Sequence, residues 1–101
     1  MTQVSRFLLK PEIWKKIFEL FSDTFLRIKD RQKLNNFFDN FFSPTEKVML
    51  AKRLAVAVLL AKENDYQTIK NTLRVTSGTI SKVSLLMKNK NSGLKTAVEY
   101  I

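Results

Sequence analysis

An all-α fold is predicted, on three observations. Bulky apolar residues recur at three- and four-residue spacing, the period of a helix, and do not alternate as in a strand. Only two glycines and two prolines interrupt the 101 residues, so connections must be short. Cap signals, a serine, threonine or aspartate just ahead of an apolar stretch, stand at several presumed helix starts. A chain of this length fits one domain, residues 1–101, with an adequate but not generous core.

Residues 1–10 read as a flexible arm. Phe7-Leu8-Leu9 is too short an apolar run for a signal peptide. Residues 11–42 read as N-terminal dimerisation helices. Pro11 suits a first helical turn, where its missing N–H costs nothing, and Trp14, Ile17, Phe18, Phe21, Phe25 and Ile28 then form one stripe, with Leu20 on its flank. Asp30 is placed to cap a second helix carrying Leu34, Phe37, Phe38, Phe41 and Phe42. Residues 43–62 read as a central buried helix. Ser43-Pro44-Thr45-Glu46 is a capping box with proline at the first position, and the run VMLAKRLAVAVLLA behind it is apolar nearly all round. Lys52 and Arg53 break that run, which also falls short of the ~20 residues that span a bilayer. A cytoplasmic protein with no membrane partner is expected.

Residues 65–88 read as a helix-turn-helix. Ile69 and Leu73 share one helical face, Ile80 and Val83 share another, and Leu73 and Val75 straddle the corner between them. Asp65, and Thr76 or Ser77, are the cap candidates. Arg74 occupies the corner position where glycine usually supplies a left-handed backbone, so a modest steric cost is expected there. With Ser77–Met87 as recognition helix, Ser77, Gly78, Thr79, Ser81 and Lys82 remain to face base edges. Lys70, Arg74, Lys88 and Lys90 are candidates for phosphate contacts. After a polar break, residues 92–101 read as a short last helix with Ala97, Val98 and Ile101 inward.

Charge narrows the partner. Eighteen Lys+Arg stand against nine Asp+Glu, a formal +9. From Tyr66 to Lys95 there are six basic residues and no acidic one. A polyanion, double-stranded DNA above all, is the expected partner. With no cysteine and no histidine, disulfides, thiolate metal sites and the commonest general base are absent. No paired-carboxylate, phosphate-loop or nucleophile-elbow pattern occurs, so neither catalysis nor a metal or other cofactor is expected. Two aromatic stripes plus an apolar helix exceed what ~100 residues can hide alone, which points to a homodimer joined through the N-terminal helices.

From Phe42 to Lys95 the sequence resembles the tryptophan-repressor superfamily, and within it the YerC/YecD branch of bacterial regulators. Ser43-Pro44-Thr45-Glu46, Leu50–Ala57, Tyr66–Leu73 and Ser77–Val83 carry the resemblance. It implies an intertwined helical homodimer regulating transcription, with L-tryptophan held between an arginine of the long helix, here Arg53, and one of the recognition helix, here Lys82. The residues argue against that ligand. Val83 stands where the repressor keeps a glycine beside the indole, and Lys82 lacks the flat guanidinium that stacks on a ring. Arg53 can instead be structural, meeting a helix end or an acidic neighbour within the dimer. The expectation is a dimeric DNA-binding repressor that occupies an operator. The alternative is an all-α adaptor whose basic face docks an acidic protein.

Overall fold

Where each helix begins follows from which side chain can accept its first-turn N–H groups. The structure, a computed structural model, describes residues 9–101; residues 1–8 of the expected arm lie outside the described residues. Among the described residues every regular element is a helix: α1 (Pro11–Arg27), α2 (Arg31–Phe41), α3 (Pro44–Ala61), α4 (Tyr66–Leu73), α5 (Ser77–Met87) and α6 (Gly93–Glu99). None is long and apolar enough to cross a membrane. The chain divides into two compact units, Met1–Phe41 and Phe42–Ile101.

In the first unit Pro11 opens α1 without a side-chain cap, behind an extended Lys10. The N–H groups of Ile13 and Trp14 both return to the Lys10 carbonyl at 3.0 Å. Asp30 opens α2, its Oδ2 accepting the Lys33 N–H at 3.0 Å. Rings link the two helices in series. Trp14 meets Phe18 (5.5 Å between centroids), Phe18 meets Phe21, and Phe21 meets both Phe25 and Phe41. Phe25 stands edge-on to Phe37, and Phe37 stacks on Phe41 at 5.0 Å. Such tilted and edge-on pairs are the favoured ring geometries, each adding about 0.5–1.5 kcal/mol beyond area burial. Yet no residue of α1 or α2 is fully buried, and Phe18 remains 50% exposed and Leu20 65%.

The second unit closes on a core of its own. The capping box forms as its residues require: Ser43 Oγ accepts the Glu46 N–H at 3.1 Å and Glu46 Oε1 accepts the Ser43 N–H at 2.8 Å. The bond from the Ser43 N–H favours the charged carboxylate and holds Glu46 below its ordinary pKa. Val56 and Ala57 of α3, Ile69 of α4, and Ile80 and Val83 of α5 are buried together, with Leu73, Val75, Leu94 and Val98 packed against them. The helix read as central and buried is enclosed only along its second half. Val48, Met49, Leu50 and Leu54 are 41–55% exposed, because α4, α5 and α6 cover one end of α3. Its all-round apolar sequence marks surface that this unit does not itself cover.

Two non-glycine residues have left-handed backbone, and both end a helix. After α3, Glu63 (φ 65°) donates its N–H to the Leu60 carbonyl, and Asn64 donates to that of Leu59. This is the paired bonding of a Schellman cap. After α4, Arg74 (φ 55°, ψ 52°) donates to the Lys70 carbonyl at 2.8 Å. The corner therefore has the left-handed backbone its position called for, carried by an arginine. At the chain's end the inward set differs from expectation. Leu94 and Val98, one turn apart, face the core of the second unit, while Ala97 and Ile101 are exposed. Ser92 caps α6 by accepting the Lys95 N–H, and the helix ends at Glu99, so Ile101 lies beyond it.

Candidate nucleic-acid interface

Two caps and one strained corner hold α4 and α5. Asp65 Oδ1 accepts the Thr68 N–H at 2.8 Å, which fixes the start of α4 and holds the Asp65 carboxyl below its ordinary pKa. Thr76, not Ser77, caps α5: its Oγ1 accepts the Thr79 N–H at 3.2 Å and lies 3.2 Å from the Thr79 hydroxyl. Ile69, Ile80 and Val83 are buried beneath, so the opposite face of α5 is set outward.

On that outward face Ser77, Gly78, Ser81 and Lys82 are exposed; Thr79 is half-buried through its contact with Thr76. Gly78, Lys82 and Leu85 fall on one helical stripe, and Leu85 is 68% exposed. A Cβ at Gly78 would meet nothing nearer than Thr76 Oγ1 at 3.7 Å, so the fold itself does not require glycine there. Of the presumed phosphate contacts, Arg74, Lys88 and Lys90 are exposed and Lys70 is half-buried. Lys70 and Arg74 stand by the corner; Lys88 caps the far end of α5 and Lys90 follows it. An eleven-residue helix separates the two groups by about 16 Å.

Beside the corner is a depression of about 260 Å³. Met49, Lys52 and Arg53 of α3 line one side, Arg74, Val75 and Thr76 of the corner and Thr79 of α5 the other. The Lys52 ammonium donates a long bond, 3.4 Å, to the Arg74 carbonyl. Arg53 therefore faces the helix-turn-helix, but Lys82 is not among the lining residues. The two side chains paired as ligand contacts do not share this space. Val83 is 2% exposed in the core. Lys52 and Thr76 belong to this surface although sequence reading assigned them no site. The available signal was the Lys52-Arg53 pair, two cations inside an otherwise apolar helix. Among the described residues no cluster of carboxylates suited to a metal ion occurs.

Residues 14–101 match the family described as Trp repressor protein. The fold is that of the crystal structure of a Trp repressor candidate from Staphylococcus aureus, with a TM-score of 0.75 over 97% of this chain and 94% of that one. Sequence identity between the two is 22%, so the likeness concerns the fold. No curated protein sequence matches the chain.

Proposed function

Because the chain belongs to the Trp repressor protein family of helix-turn-helix DNA-binding regulators, and is therefore not an enzyme, we propose that it represses transcription as a homodimer occupying an operator. The observation that carries this is the outward face of α5. It presents small hydrogen-bonding side chains and one lysine, while a core on the opposite face holds the helix at a defined angle. Ser77, Gly78, Thr79, Ser81 and Lys82 read base edges; Lys70, Arg74, Lys88 and Lys90 hold the flanking phosphates. The exposed apolar residues of α1 and of the first half of α3 support the dimer, since a second copy would take them out of water. The regulator works in the cytoplasm. It does so without tryptophan, because Val83 fills core space and Lys82 offers a point charge where an indole needs a flat partner.

Affinity selection of genomic fragments followed by footprinting tests the reading. A near-palindromic site is expected, with half-sites about 34 Å apart. Lys70→Ala or Lys88→Ala should weaken binding to every duplex and lower the salt slope by about one unit per lost phosphate contact, one contact being lost from each protomer. Ser81→Ala or Lys82→Ala should instead relax preference at one base pair by about 1–3 kcal/mol. Equal behaviour of both sets on selected and random DNA overturns the assignment. A gain in operator affinity on adding L-tryptophan overturns the ligand-free reading.

A further inference from the structure

We infer that the depression between α3 and the helix-turn-helix corner seats a backbone phosphate of duplex DNA, with Lys52 and Arg53 as the contacts that α3 contributes. The inference rests on the DNA-binding reading above and extends the interface to a helix outside the motif.

Lys52, Arg53 and Arg74 share one depression with no acidic residue on its walls, and none of the three makes an ion pair among the described residues. Like charges gathered without a counter-ion raise the energy of the folded state, so this arrangement is stabilised by an anion brought from outside. Hydrogen-bond donors converge as well. The hydroxyls of Thr76 and Thr79 are at the rim, and the Lys52 ammonium is tethered to the Arg74 carbonyl by one of its three donors, leaving two free. Position then selects the anion. The depression opens beside the first turn of α5, the same turn that carries Ser77 and Gly78, so an anion here adjoins whatever those residues read. Shape favours a ligand tethered outside the depression over a small free one. Such sites bury about 70–90% of their ligand, whereas this one is open and is flanked by the exposed side chains of Arg53 and Arg74. An open basic seat next to a base-reading helix fits a group that stays attached to a larger polymer, a phosphodiester.

Binding of Lys52→Met, Arg53→Gln and the double variant to the selected operator and to random duplex, across a salt series, tests this. With one seat in each protomer of the dimer, the double variant should lower the salt slope by roughly 1.8 and lose roughly tenfold affinity on both DNAs alike, and each single variant should show a smaller drop. Lys52→Arg, which keeps the charge, should restore binding. Replacing symmetry-related pairs of operator phosphates by uncharged methylphosphonates should locate one pair at which the wild type falls to the level of the double variant and the double variant falls no further. Unchanged slopes in variants that melt like the wild type, while Lys70→Ala still weakens binding, overturn the seat and leave the DNA reading standing. A wild type that binds no duplex overturns both. Saturable binding of inorganic phosphate that survives on the operator complex assigns the depression to a free anion and overturns the inference.

Discussion

Val56, Ala57, Ile69, Ile80 and Val83 are enclosed within residues 42–101, whereas no residue of α1 or α2 is buried, although those two helices carry most of the rings. Geometry explains the contrast. Two helices present one contact to each other and leave the rest of each apolar stripe in water. Three helices around α3, turned by caps and left-handed corners, surround a point. Aromatic content is therefore a poor guide to where a chain is closed. It marks the N-terminal unit as the one whose covering comes from elsewhere, and in the proposed dimer a second copy supplies it.

The contrast can be broken most forcefully from the enclosed side. Ile69→Ala removes a side chain that is 0% exposed and should cost about 2–5 kcal/mol, read as a lowered denaturant midpoint at any protein concentration. Phe18→Ala, at a 50% exposed position, should cost far less in dilute solution. At micromolar protein it should shift a sedimenting mass near twice 11.8 kDa towards the single chain. The sole tryptophan, Trp14, reports the same event, its emission moving to the blue as concentration rises. A monomeric wild type with unchanging emission breaks the comparison.

A smaller effect separates stability from binding. Glu63→Gly and Arg74→Gly should each stabilise the second unit by about 1 kcal/mol, since glycine enters left-handed backbone without the steric cost a side chain carries there. Only Arg74→Gly should also weaken DNA binding. If both variants bind DNA as the wild type does, the charge at the corner has no part in the interface.

The smallest effect is with acid. Glu46 and Asp65 have folded pKa values below their ordinary ones because each accepts backbone N–H bonds at a helix start. A depressed carboxyl stabilises the fold fully above its unfolded pKa, and that stabilisation is lost as pH falls through the folded value. Melting temperature should therefore decline below about pH 4–5. Asp65→Asn, which still caps but takes up no proton, should flatten part of that decline. An unaltered acid limb in this variant removes Asp65 from the account.

Much of this was legible because caps and corners are local. Ser43 with Glu46, Asp65 and the corner at Arg74 can be read within a single turn, and the start of α3 and both ends of α4 follow from them. What faces what is not local. Val48, Leu50 and Leu54 carry the same apolar signal as Val56, and nothing in periodicity says that only one half of α3 meets its own chain. Ala97 and Ile101 gave way to Leu94 because α6 packs on α3 and α5 along its Leu94–Val98 stripe and ends at Glu99, short of Ile101. The corner depression draws Lys52 and Thr76 together across more than twenty residues, a separation that no motif spans.

The outward face of α5 has a consequence for how such a protein diversifies. Ser77, Gly78, Ser81 and Lys82 are exposed, and even a methyl group at Gly78 finds ordinary contact, so the core on the opposite face does not register what stands at these positions. Lineages descending from this chain can alter these residues one at a time and acquire new target sequences without first accumulating stability to spare. Thr79 is the exception, since its hydroxyl is engaged with the cap at Thr76. Drift in address, with Thr79 held back, is the pattern this helix leaves open to selection.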